Sequence, residues 1–414
     1  MVVLRAGAPA ALRLALVAAV SASPRTVLCS TIPTEGAFAA CVPVLRALGR
    51  LGRAVTVASG PDLAPRVRQE GFAHASILSV DGETAAIARA TREMADSGET
   101  WRFTAEIMGG VVAPRWLPQL RALADLLQPE IVVHPPVDLA APLLAAERGL
   151  TSVCCGYSHP FEPRVLGAMA DRVAPLWLAA GLDPDPHAGL YRDHYLDPVP
   201  PSLRAVRGPD GAGPPAGVAL EIRPEVPGQA DDPLPAWGAR LGRRPLVYVS
   251  LGTNTAFNHP RRLSRLLARL AGPELECVVT TGRQRTADAL GELPATIHVE
   301  RWLSLASVLP RCDAALCHGG NGTTLAVLAS GLPMVLAPQG ADQFTNAAAL
   351  AASGAARTLL PAAAAPDAIR DAVLEVVRPN GSERRHARRL AQEIASMPTA
   401  DDVARQIDLS HCRI

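Results

Sequence analysis

The feature that most constrains this chain is a rhythm that runs, stops and starts again. From Thr26 onward, short β-branched or apolar runs alternate with amphipathic stretches. TVLCS (26–30) precedes a helix with Val42, Leu45 and Leu48 on one face; AVTVAS (54–59), a helix near Pro61–Glu70 and ASILSV (75–80) follow. LPQLRALADLL (117–127) leads into IVVH (131–134), a helix over 139–149 and TSVCC (151–155). After Asp197 the rhythm stops: ten of the 38 prolines fall between Pro198 and Pro235, with GPDGAGPPAG among them. It resumes at PLVYVSLG (245–252) and continues through ECVVTT, ATIHVE, AALCH and PMVLAP, each followed by a helical pattern or a turn. Strands alternating with helices imply βαβ units around a parallel sheet, and 414 residues exceed what one hydrophobic core usually serves. The expectation is an α/β chain of two Rossmann-like, doubly wound domains, 25–205 and 244–380. A Pro/Gly-rich linker at 206–243 joins them, and 381–414 forms a C-terminal helix and tail.

Composition narrows the chemistry. Forty basic residues against 39 acidic ones leave a net charge of +1, which excludes a strong global field for nucleic acid or an anionic membrane surface. Every basic residue is arginine, so a Walker P-loop, a Schiff base and pyridoxal-phosphate chemistry, which all need lysine, are excluded. The cysteines sit mostly in apolar runs without CxxC or zinc spacing, as small buried hydrophobes do. That points to a reduced, cytoplasmic protein. Residues 1–24 superficially resemble a signal peptide, but Arg5 and Arg13 interrupt them and the apolar core Leu14–Val20 is short. They are taken as a disordered extension or an early start codon. No apolar run reaches the ~18 residues of a membrane span, so no stable membrane insertion is expected.

CHGGNGTTLAVLASGLP (317–333) is the most informative stretch. It ends a strand, turns on His318, Gly319, Gly320, Asn321 and Gly322, and opens a helix near Thr323. In open parallel sheets ligands bind beyond the carboxyl ends of the strands. A helix starting there offers unpaired N–H groups and the positive end of its dipole. Glycines let that backbone approach an anion, and phosphate is the usual guest; the plain alternative is a glycine turn with a capping threonine. GADQF (340–344) sets Asp342 and Gln343 at the mouth of the next strand, where short polar side chains suit sugar hydroxyls. Trp302 follows an earlier strand and suits stacking on a flat base. Base platform, phosphate cradle and hydroxyl reader on one sheet edge fit a nucleotide-sugar.

RWLSLASVLPRCDAALCHGGNGTTLAVLASGLPMVLAPQGADQF (301–344) closely resembles the donor signature of GT-B, family 1 glycosyltransferases, above all the bacterial enzymes that decorate natural products with deoxysugars. RPLVYVSLGT (244–253), VVTTG (278–282), YLDPVPPSL (195–203) and PEIVVHPPVDLAAPLLAAERGL (129–150) resemble further segments in the same order. The resemblance implies an inverting, metal-independent transfer of a sugar from an NDP-sugar (dTDP or UDP). The donor sits on the C-terminal domain and a small hydrophobic aglycone on the N-terminal one, facing each other across a cleft. It implies that Trp302 stacks on the base, that His318 and the backbone from Gly319 through Gly320, Asn321 and Gly322 to Thr323 hold the diphosphate, and that Asp342 and Gln343 bind sugar hydroxyls. Gly252 and Thr253 line the same site. A homodimer is compatible with it, and no metal or other cofactor is expected; DPD at 183–185 is a nominal metal motif but lies in a proline-rich turn.

The pattern breaks at the catalytic base. The family's usual histidine position after the first strand is Ala37 here, in STIPTEGAFAACVP (30–43), and alanine takes no proton. Glu35 in the same loop, or His134 or Asp138 near the end of 131–134, are the candidate replacements. An acidic acceptor such as a phenol would need little base at all. Leu305 and Ser304 replace a glutamine and a proline common in relatives, which leaves the choice of uracil or thymine open. Two further readings remain beside the transferase: an NDP-sugar epimerase, and a catalytically silent homologue that assists a working transferase. An acceptor pocket would come from 80–118, with Trp101, Phe103, Met108 and Trp116, side chains equally suited to a core.

Overall fold

The computed structural model describes residues 25–78, 83, 85–87, 89, 92–93, 99–204, 213–215, 217–252, 260–282, 290–340 and 342–411. The proposed extension at 1–24 and Thr253 lie outside the described residues. The chain forms two compact units. One holds the chain up to Pro198, a stretch ending at Ile222 and the segment from Pro398; the other holds a short stretch from Val199 and all of Arg223–Met397.

Among the described residues, the first unit has seven parallel strands: β1 (Thr26–Ser30), β2 (Ala54–Ser59), β3 (Ala73–Ser76), β4 (Ile131–His134), β5 (Thr151–Cys155), β6 (His194–Asp197) and β7 (Ala219–Glu221). Their order is β3-β2-β1-β4-β5-β6-β7. The second unit has six: β8 (Leu246–Ser250), β9 (Glu276–Thr280), β10 (Ile297–Glu300), β11 (Ala314–Cys317), β12 (Met334–Leu336) and β13 (Ala356–Thr358), ordered β10-β9-β8-β11-β12-β13. The helices used below are α1 (Glu35–Arg50), α2 (Ala64–Gln69), α3 (Ala113–Leu127), α4 (Ala141–Arg148), α5 (Pro163–Ala179), α6 (Pro201–Arg204), α7 (Pro260–Leu270), α8 (Leu305–Val308), α9 (Asn321–Ala329), α10 (Gln343–Ala352), α11 (Pro366–Val376), α12 (Ser382–Ser396) and α13 (Ala400–His411).

Side-chain alternation builds the layers. Val27, Cys29, Ile131, Val133 and Val153 enter one core with α1, while Leu28, Val132 and Cys154 enter the other with α3 and α4. The second sheet repeats this: Val247, Val249, Cys277 and Val279 face α7 and α11, and Tyr248, Val278, Ala315 and Cys317 face α9. Strands covered on both faces are near-continuously apolar, which is why they stand out in the sequence. Phe38, Cys41, Val42, Leu45 and Leu48 give α1 its buried stripe. Glu35 in its first turn and Arg50 in its last complement the helix dipole. The seven cysteines among the described residues are free and buried.

Three boundaries differ from the sequence reading. The stretch 206–243 is more than a linker: β7 extends the first sheet, and Trp237, in a 3-10 turn at Ala236–Arg240, is buried in the second core. Its ring stacks on His298 at 4.8 Å and its Nε1 donates to Glu300 at 3.0 Å. The segment 381–414 does not act as one piece. α12 lays Ala387, Leu390 and Ile394 into the second unit, whereas α13 lays Val403, Ala404 and Ile407 into the core under α1. Arg53, fully buried, pairs with Glu130 at 2.8 Å and with Asp408 of α13 at 2.6 Å. Finally, α3 begins at Ala113, earlier than its apolar period shows, and a π-helical turn at Ala105–Val112 precedes it.

The topology fixes where ligands can sit. In the first sheet the strand order reverses between β1 and β4, in the second between β8 and β11. Loops on either side of such a reversal diverge and leave a crevice at the carboxyl edge.

Candidate active site

The glycine elbow occupies the reversal of the second sheet. β8 and β11 pair with Ser250 opposite Cys317, so the loops leaving them start side by side. His318 Nδ1 lies 3.4 Å from the Ser250 carbonyl oxygen. A carbonyl only accepts, so Nδ1 carries the proton and Nε2 of the neutral ring is bare. Nε2 rests against backbone that must be glycine: a β-carbon at Gly320 would lie 2.3 Å from it, and one at Gly252 2.7 Å. Gly252 and Gly319 also hold φ of 84° and 91°, a region costly for other residues. Burial pulls the His318 pKa below its ordinary value, opposed by the Ser250 carbonyl and the Asp342 carboxylate.

α9 starts here with Gly320 as its N-cap, so the N–H groups of Gly322 and Thr323 fall in its first turn, where the helix itself supplies no acceptor. Gly322 is exposed and Thr323 half-exposed. Thr324 turns its hydroxyl inward to the Asn321 carbonyl at 3.0 Å, leaving Thr323 as the outward hydroxyl of the pair. Asn346, which the sequence reading missed, ties the site together. Its amide donates to the Gly319 carbonyl at 3.0 Å and to Asp342 Oδ2 at 3.0 Å. Its only signal in sequence is its place one helical turn beyond Asp342.

Asp342 is the N-cap of α10 and half-exposed beside this elbow. Gln343 is buried, and its Oε1 accepts the Gln339 N–H at 2.8 Å. Its oxygen is therefore engaged, and a sugar hydroxyl would meet the amide nitrogen. Trp302 is 44% exposed just past β10, and three strand spacings separate β10 from β11, about 14 Å. A nucleoside diphosphate spans that. Ser304, next to it, is structural: its Oγ donates to the Gln229 carbonyl at 2.8 Å and caps α8.

The three base candidates in the first unit fare differently. His134 is fully buried, with Nε2 3.0 Å from Ser152 Oγ and Nδ1 3.2 Å from the Pro135 carbonyl. Burial lowers its pKa, and a ring with both nitrogens engaged and no exposed surface takes no proton from a ligand. Glu35 is part-exposed but accepts from Arg66 Nε of α2 at 2.9 Å, on the β2 side of β1 and away from the reversal. Asp138 lies at the reversal itself. Its Oδ1 accepts the N–H groups of Ala140 and Ala141 at 3.1 Å each, capping α4, and its Oδ2 accepts Ser30 Oγ–H at 2.5 Å. Ala37 is buried in α1.

Of the acceptor-pocket candidates, Trp116 is core. Phe103 is exposed, Met108 half-buried, and Trp101 has the guanidinium groups of Arg102 and Arg164 over its ring, 5.8 and 5.4 Å from the ring centre. Asp185 of the DPD sequence accepts the N–H groups of His187 and Gly189 at 2.7 and 2.9 Å, a turn cap. Among the described residues no group of three metal-ligating side chains occurs, and no helix is long and apolar enough to cross a membrane.

Two parallel sheets, each with its own reversal and one with a glycine elbow at it, define a GT-B glycosyltransferase fold. Residues 264–409 match the family described as Erythromycin biosynthesis protein CIII-like, C-terminal domain. Elloramycin glycosyltransferase ElmGT of Streptomyces olivaceus is 31% identical over 92% of this chain and 96% of its own length. L-demethylnoviosyl transferase of Streptomyces niveus is 32% identical over 91% and 96%. Spinosyn rhamnosyltransferase SpnG, solved with thymidine diphosphate, aligns with a TM-score of 0.76 and 26% identity over 92% of this chain and all of that one, and it has also been solved with spinosyn aglycone. The chain belongs to this family of antibiotic-pathway and other natural-product glycosyltransferases, and it is a glycosyltransferase.

Proposed function

We propose that the enzyme moves a sugar, a deoxysugar by preference, from a dTDP- or UDP-sugar to a hydroxyl or similar nucleophile of a small hydrophobic aglycone, with inversion and without a metal. The observation that carries this is His318 set against bare glycine backbone at the start of α9, at the reversal of the second sheet. The diphosphate meets the first-turn N–H groups of Gly322 and Thr323 and the positive helix end. The ring of His318 takes up a proton at Nε2 and donates it to a phosphate oxygen. Fixed donors aimed at the leaving group stabilise the charge it gains as the glycosidic bond breaks, which is the role a metal has elsewhere. Trp302 carries the base, and Asp342 with Gln343 meets the sugar. The thymidine diphosphate complex of the rhamnosyltransferase supports a dTDP donor.

Calorimetric titration of dTDP into the purified enzyme, with EDTA present throughout, tests the reading. Saturable binding is expected, weakened at least tenfold in Gly320→Ala, whose new β-carbon displaces the His318 ring. Absence of binding would sink the proposal. dTDP-glucose incubated alone and with phenols and alcohols then separates transfer from epimerisation and from a silent homologue, by whether a glycoside, an epimer or neither accumulates.

A further inference from the structure

We infer that Asn346 positions the Asp342 carboxylate and couples it to the glycine elbow, so that an asparagine touching no substrate helps to set which sugar the donor site accepts. This deepens the transferase reading and rests on it. Asn346 keeps 1% of its surface exposed, whereas Asp342, one helical turn earlier, is half-exposed. A side chain so buried is out of a ligand's reach and acts through what it holds. Its amide nitrogen donates at 3.0 Å to the Gly319 carbonyl and at 3.0 Å to Asp342 Oδ2. A carbonyl and a carboxylate only accept, so it is the nitrogen of the amide that faces them, and its two hydrogens are both used.

For Asp342 the consequence is a fixed orientation. An aspartate at an N-cap ordinarily turns its carboxylate back onto the first N–H groups of its own helix. Asp342 makes no such bond, because Oδ2 is held by Asn346 instead. Oδ1 is then the oxygen left to accept from a sugar hydroxyl. Beside it, Gln343 commits its oxygen to the Gln339 N–H and keeps its amide nitrogen as a donor. The sugar thus meets one held acceptor and one held donor. A site of that kind discriminates, since a sugar without the matching hydroxyl leaves a polar group unpaired.

A second observation supplies the coupling. Gly319 is the first glycine of the elbow, and a β-carbon on it would lie 3.0 Å from the Gln343 carbonyl oxygen. The elbow and the start of α10 are therefore packed backbone to backbone, and Asn346 is the hydrogen-bonded bridge across that contact. A diphosphate that orders the elbow orders Asp342 with it. Removing the amide unties the two.

The test titrates the full chain calorimetrically, without an aglycone, with dTDP, with dTDP-glucose and with the 2-, 3-, 4- and 6-deoxy counterparts of dTDP-glucose. The readout is the affinity for each dTDP-sugar divided by the affinity for dTDP. In Asn346→Ala this ratio should fall by about tenfold for the best-bound sugar, the worth of a hydrogen bond to a charged group, and the spread among the sugars should narrow. Asp342→Ala should give the same pattern, and the double variant should be no worse than either single one, because the two residues act as a unit. A residue serving stability alone would weaken dTDP and its sugars equally and leave the ratio in place. The inference is overturned if the ratio in Asn346→Ala stays within about twofold of the parent's, or if the losses add in the double variant. Should Asn346→Ala not fold, Asn346→Ser, which keeps one donor where two are needed, is judged by the same ratio; a chain that folds with neither makes Asn346 a structural residue and overturns the inference as well. So does binding of dTDP with binding of none of the sugars. A chain that binds no dTDP overturns the transferase reading instead.

Discussion

At the scale of single residues, His318 is the group whose charge the site controls. Burial lowers its pKa; a diphosphate beside Nε2 raises it, because an opposite charge favours the imidazolium. Binding therefore takes up a proton between the two values. Affinity for dTDP-glucose, whose diphosphate does not itself titrate near neutrality, should rise as pH falls through that window. The slope should be up to about tenfold per pH unit, and it should vanish in His318→Gln. A His318→Gln enzyme with an unchanged slope would show that another group titrates. The residue scale also divides what sequence could show from what it could not. The elbow was legible because His318, its glycines and Thr323 are contiguous. Ser30 was not, since nothing in a serine ending a buried strand announces a carboxylate 108 positions on; only the pairing of β1 with β4 makes them neighbours.

Among elements, the long periodic ones were legible and the short ones were not. α1 shows its stripe at Val42, Leu45 and Leu48, and the buried strands show as apolar runs. β7, three residues of ALE, carries no period of its own and exists because β6 offers it an edge. α13 has a helical period that sequence reveals, but its partner is α1, some 350 residues away, and that sequence does not reveal. Ile407 is fully buried there. Ile407→Ala should cost the first unit about 2–5 kcal/mol, the range for emptying an aliphatic core site, measured by urea unfolding. A tail residue would cost less than about 0.5 kcal/mol, so a neutral result would return α13 to the status of a tail.

For the whole molecule, each sheet has apolar layers on both faces, so each unit owns a core. A ligand that binds only the native second unit stabilises it by mass action, about 2.7 kcal/mol at a hundredfold excess over the dissociation constant. For a unit of this size that is a rise of roughly 5–10 °C in its melting temperature. Scanning calorimetry with dTDP should show it; a transition that stays put at such concentrations would mean that the native second unit holds no nucleotide.

The return of α13 bears on how the chain is made. Its codons come after those of the entire second unit, yet Val403, Ala404 and Ile407 close a core that β1 and α1 began. Domains usually mature in the order they leave the ribosome. Here the half synthesised first stays unsealed, its apolar flank bare, until the half synthesised second has already emerged.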